Sequence, residues 1–235
     1  MAMPSLTRPA TLALAALVVL TGVHLGSIGV APETLLNDVT QALLMPVVAI
    51  VLLAAVPSPR SRLVLLVLVA LAMSWLGDAA PLLVDGDLTA LLVKVGFFLL
   101  AQVAFIAAFW PWRHRTVVAR SPWAFLPYAA ALVAILALVR DGIGGLEVPV
   151  VVYAVTITVM AVLATGLGPL AGVGGAVFLL SDAILAVGTF SDRDLPANGV
   201  WVMLTYVVGE ALIVLGVIAH EQQANAQPRV TPVGG

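Results

Sequence analysis

Two carboxylates stand inside stretches otherwise apolar enough to cross a bilayer: Asp78 in AMSWLGDAAPLL and Asp182 in AVFLLSDAILAV. An ionisable group near the centre of a membrane helix costs roughly 2.5–3.5 kcal/mol on insertion scales, so it marks a substrate site, an ion pathway or a proton relay before anything else. Further polar groups fall in similar surroundings: Lys94 and Gln102, Tyr153 and Thr156, and Tyr206 with Glu210. Acids, a lysine and phenols in an apolar setting are the parts of a proton-transfer site.

The elements that must position them follow from composition. Of 235 residues 62% are hydrophobic and 9% charged, against about 25% charged in soluble domains, which makes the chain an integral membrane protein. It has no cysteine, so disulfides and thiolate chemistry are excluded. His24, His114 and His220 show no metal-ligand spacing, and no metal or other cofactor is expected. A net charge of -2 without a basic run argues against nucleic acid.

Apolar runs of about 17–25 residues give eight spans: Thr11 to Ile28, Leu36 to Val56, Arg62 to Ala80, Leu88 to Trp110, Pro122 to Val139, Val148 to Leu167, Leu170 to Phe190, and Gly199 to His220. The reading is an all-α bundle forming one membrane domain over residues 1–220, with a polar, disordered tail over 221–235. The breaks are PSPRSR, DGD, PWRHRTVVARSP, RDGIGG, GLGP and SDRDLP; GLGP is the shortest. The first run has Arg8 before it in the manner of a signal peptide, but no small-residue cleavage site follows, and it is kept as a helix. The positive-inside rule places Arg8, Arg60, Arg62, Arg113, Arg115, Arg120 and Arg229 in the cytoplasm and Arg140 and Arg193 outside. Both termini are then cytoplasmic, and the expected location is the plasma membrane.

At 1.5 Å per residue, Asp78 lies about 24 Å along the outward-running third span and Asp182 roughly 18 Å along the outward-running seventh. Asp38 and Gln41 share a face of the second span, as do Tyr206 and Glu210 of the eighth. Lipid cannot satisfy such groups, so they are expected to line one protein-walled cavity in the outer half. Each also has a plainer reading. Lys94 snorkels or pairs with Asp182; Asp38 is a helix N-terminal charge; Tyr153 and Tyr206 are interfacial aromatics; Asp78 faces water at a helix end; His24 with Thr21 packs helices; His114 and His220 sit at the interface. The echo of LGDA at 76–79 in LSDA at 180–183 carries no argument in a chain this rich in Leu and Ala.

The segments WLGDAAPLL, VFLLSDAILA and VMLTYVVGEALIV, with VGFFLLAQVAFIAAF of the fourth span, resemble the YhhN-type lysoplasmalogenase family of multi-pass membrane proteins. The likeness covers nearly the whole membrane region and is most specific around Asp182, then around Asp78. Departures are Gln102 where the resemblance leads one to expect His, Glu210 where Gln is expected after the tyrosine, and Met45 and Pro46 at the place of a lysine. The resemblance implies hydrolysis of the vinyl ether bond of a lysophospholipid, releasing a fatty aldehyde and glycerophosphoethanolamine or glycerophosphocholine, without metal or nucleotide. For that reaction proton donation is expected of Asp182, the more deeply placed, and water activation of Asp78; substrate contacts are expected of Lys94 at the phosphate and of Gln102, Tyr206 and Glu210 around the water and glycerol. Two carboxyls in an apolar site can divide an acid and a base role between them, as the pair of a glycosidase does before a similar oxocarbenium ion. Two alternatives stay open: a small-molecule or proton-coupled transporter, and a lipid-binding member without hydrolase activity. A transporter calls for helix breaks at matching mid-membrane positions, and the second span has Pro46 where the sixth has no counterpart. Oligomeric state is not legible.

Overall fold

The computed structural model describes residues 3–30, 34–191, 193 and 195–226. Those residues form helices and turns, and eight of the helices are long and apolar enough to cross a membrane. The spanning helices are α1 (Arg8–Val30), α2 (Leu35–Ala55), α3 (Arg62–Ala79), α4 (Asp87–Phe109), α6 (Phe125–Val139), α7 (Glu147–Ala164), α8 (Pro169–Phe190) and α9 (Asn198–Ala226); α5 (Val117–Arg120) is one turn in the loop after α4. Helices are what the sequence must form here, because hydrocarbon offers no partner for a backbone N–H or C=O. The chain is therefore an integral, multi-pass membrane protein.

The punctuation follows local chemistry. Ser61 caps α3, its hydroxyl accepting from the Val64 N–H at 3.3 Å. The short GLGP link is a true break: Gly168 takes φ +128°, a conformation that side chains disfavour, and Pro169 opens α8. Pro46 lies inside α2 without ending it. Most helix ends fall within three residues of the sequence reading, and the fifth span keeps its expected start at Pro122, entered by a 3-10 turn over 122–124 that leads into α6 at Phe125. At the other end α9 continues past His220 to Ala226, because the polar face of EQQANA still finds partners: Glu221 accepts from Ser61 Oγ at 2.7 Å, and Gln222 donates to the Ser5 carbonyl at 2.6 Å. Residues 227–235 of the expected tail, with Arg229, lie outside the described residues, as do Asp192 and Asp194 of the SDRDLP break.

α9 is the centre of the bundle and packs on α1, α2, α3 and α8. Its pairing with α8 is the most extensive and rests on small residues, as is usual where helices associate within lipid. A Cβ added at Gly174 would stand 2.6 Å from the Ile213 nitrogen, and one at Gly209 would stand 2.8 Å from the Phe178 nitrogen. The two backbones are thus nearly in contact, and that closeness carries Tyr206 and Glu210 into the interior. At the opposite extreme, α6 lies on the outside against α7 and α8, and Val139 is its one buried residue.

Candidate active site

Asp78 ends the inner face of α3. Ser74 and Asp78 are one turn apart and point the same way, and Gly77 between them leaves room for the Phe98 ring of α4: a Cβ at Gly77 would stand 2.8 Å from that ring. The Asp78 carboxylate, 5% exposed, has both oxygens occupied. Oδ1 accepts from Gln41 Nε2 of α2 at 3.0 Å and Oδ2 from the Tyr206 hydroxyl of α9 at 3.0 Å. Tyr206 is fixed in turn by Phe98, edge-on at 5.6 Å between ring centres, and by Phe178 at 5.5 Å.

Asp182, on α8, is bound differently. Its Oδ2 accepts from the Tyr153 hydroxyl of α7 at 2.6 Å, a length typical of a strong bond to a carboxyl group. The side chain is partly exposed and borders a cavity between α4, α7 and α8, with Ile135 of α6 at its side. Lys94, Asp182, Tyr153 and Thr189 are the polar groups of that cavity; Leu91, Val150 and Leu179 typify the rest. Lys94 forms no ion pair with Asp182, so the plainer reading of these two is set aside. Phe98 borders the same cavity while packing on Tyr206, so one ring separates the two aspartate clusters.

Glu210 links them. It is fully buried, accepts from Ser74 Oγ through Oε1 at 3.1 Å, and interacts electrostatically with both Asp78 and Asp182. Its Oε2 has no partner among the described residues, and neither amide atom of the equally buried Gln102 has one. Gln102 lies beside Tyr153, outside hydrogen-bonding geometry. A buried polar atom left alone forfeits about 1–3 kcal/mol, so three of them around one cluster mark a place built for a polar guest.

The pattern that defines the YhhN family matches residues 36–217 of the chain. The chain belongs to the YhhN family, the family of lysoplasmalogenases. No curated protein and no solved structure matches it. The YhhN match begins at the head of α2 and ends inside α9, so it encloses the whole polar cluster from Gln41 to Glu210 and leaves out α1.

In this YhhN fold the polar residues singled out from sequence divide into two sets. Asp78, Asp182, Gln41, Tyr153, Tyr206 and Glu210 meet in the two clusters, with Gln102 and Lys94 at their edges. The remainder lie outside the clusters. Thr156 bonds the Val152 carbonyl of its own helix. His24 is buried against Thr40 at 2.9 Å, the helix-packing role open to it from sequence. His220 packs edge-on to Trp112, and His114 is exposed. Asp38 does not join Gln41 in the cluster. Ser74 was the group sequence reasoning passed over, although its position one turn before Asp78 is a readable signal. The more enclosed carboxylate is Asp78, the reverse of the order inferred from depth along the helices, because the end of α3 is roofed by Gln41, Phe98 and Tyr206. Among the described residues no group of three or more His, Asp or Glu is arranged to hold a metal ion.

Proposed function

We propose that this YhhN-family chain hydrolyses the vinyl ether bond of lysoplasmalogens in the plasma membrane. The observation that carries the reading is the unequal pair of carboxylates: Asp182, tyrosine-held at the edge of an apolar cavity that also presents a lysine, and Asp78, saturated by Gln41 and Tyr206 behind one aromatic ring. An enol ether is cleaved by protonation of the vinyl carbon farther from oxygen, and the substrate itself brings an apolar chain and an anionic phosphate. The cavity suits the chain, and Lys94 suits the phosphate.

Asp182 donates the proton to that carbon, the vinyl π electrons forming the new C–H bond and leaving an oxocarbenium ion. The carboxylate so formed is stabilised by the Tyr153 hydroxyl, which already points at it. A water adds to the cationic carbon and gives up a proton towards the Asp78–Glu210 side, where Glu210 Oε2 and Gln102 have polar atoms to spare. The resulting hemiacetal gives its hydroxyl proton to the Asp182 carboxylate as its bond to the glycerol oxygen breaks; that oxygen takes the proton held on the Asp78–Glu210 side and leaves as the alcohol, and a fatty aldehyde and the protonated Asp182 remain. The transport alternative draws no support from α2, which runs unbroken through Pro46.

The test uses purified protein with a lysoplasmalogen in water enriched in oxygen-18. The reading requires aldehyde to appear with no label in the glycerol hydroxyl, since the bond broken is on the vinyl side. The matched saturated alkyl ether must be inert. Label in the glycerol product, or equal cleavage of the alkyl ether, overturns it.

A further inference from the structure

A second cavity lies at the other end of α8 from Asp182, where the loop after α4 meets α9. Arg115, Arg120, His220 and Gln223 line it, with the Gly168–Pro169 turn beneath. Arg115 and Arg120 have no carboxylate partner among the described residues, whereas neighbouring Arg113 donates to the Trp110 carbonyl and lies 5.2 Å over that residue's ring. Glu221, the acid next to His220, accepts from Ser61 Oγ and does not line the cavity. The α8 N-terminus, uncapped by any side chain, adds its positive end to the same wall.

The cavity continues as a groove. Tyr128 and Ala176 belong both to it and to an apolar cleft between α6 and α8, which passes Ala131 and Leu180. From Val173 to Val187 that seam extends about 21 Å at 1.5 Å per residue, more than the roughly 15 Å that one leaflet's tails occupy in a 30 Å core. A basic head cavity joined to an apolar groove open to the membrane is the complement of one kind of molecule. We infer that the α6–α8 seam holds an anionic phospholipid, its phosphate against Arg115 and Arg120 and a tail beneath Tyr128 and Ala176, separate from the aspartate clusters.

The full chain, purified in a zwitterionic detergent, is titrated with phosphatidylglycerol and with phosphatidylcholine, and bound lipid is counted by native mass spectrometry. With about a fivefold effect per basic residue near a lipid phosphate, R115Q/R120Q binds phosphatidylglycerol about thirtyfold more weakly than wild type and loses its preference over phosphatidylcholine; each single variant loses about fivefold should the double variant misfold. R113Q removes the same charge outside the cavity and keeps the preference. A176W, which fills the seam, also weakens phosphatidylglycerol binding but, in a parallel titration with inorganic phosphate, binds that anion as wild type does. Equal phosphatidylglycerol binding by wild type and R115Q/R120Q, a loss in R113Q matching theirs, or no loss in A176W overturns the proposal.

Discussion

The Tyr153–Asp182 contact offers a test whose size can be worked out beforehand. Replacing Tyr153 by Phe keeps the ring and removes the hydroxyl that donates to Asp182 Oδ2 at 2.6 Å. If Asp182 is the proton donor, the bond is made to a neutral carboxyl group before the reaction and to a carboxylate as the proton leaves. A neutral hydrogen bond is worth about 0.5–1.5 kcal/mol net and one to a charged group about 1.5–3, so the transition state loses about 1–1.5 kcal/mol more than the ground state does. Only that difference slows the chemical step. At tenfold per 1.36 kcal/mol, kcat falls about five- to thirteenfold while KM changes little. The assay is aldehyde release under saturating lysoplasmalogen, with helix content by circular dichroism and elution volume as controls for folding. A kcat within twofold of wild type refutes Asp182 as the group that gains charge. A fall beyond a thousandfold also refutes the account as drawn, because Tyr153 would then touch the reacting atoms itself.

Other expectations are simpler. Lys94→Met removes the cation of the cavity and is expected to raise KM about tenfold with kcat nearly unchanged, an uncoupling that steady-state kinetics reads directly; a fall in kcat alone would place Lys94 elsewhere in the reaction. Gly174→Ala forces a methyl against the backbone of α9, which should cost about 1–3 kcal/mol by overpacking and lower the thermal midpoint in detergent. Gly26→Ala, where a Cβ meets nothing within 4 Å, should leave it unchanged or raise it, and the same loss at both sites would contradict the close α8–α9 contact. Finally, the distribution of arginines puts the C-terminus in the cytoplasm, so a C-terminal reporter active only outside the cell should stay silent.

Most of the spanning architecture was legible because hydropathy and Pro–Gly punctuation act locally: each of the eight runs is a helix, and even the four-residue GLGP link falls where Gly168 needs a positive φ. Asp78 and Asp182 were legible because a charge in lipid is conspicuous. What the sequence conceals is which neighbour each charge finds. Lys94 looked like the partner of Asp182, yet Tyr153 takes that place and Lys94 only shares the cavity. That outcome depends on how α4 rotates against α7, which no period in α4 reveals. Asp78 proved the more enclosed of the pair for a similar reason, since its roof comes from α2, α4 and α9. The Ser74–Glu210 bond joins residues 136 positions apart, on α3 and α9, and depends on how those helices pack, a property of two helices together rather than of either alone.

The central claim is that Asp182 and Asp78 together perform a hydrolysis. The direct measurement is aldehyde released from lysoplasmalogen by purified wild type, Asp182→Asn and Asp78→Asn, each confirmed folded. The account predicts turnover by wild type and no detectable turnover by either variant, with lysolipid still bound by both. Absence of aldehyde with folded wild type, or full turnover by both Asn variants, would contradict it.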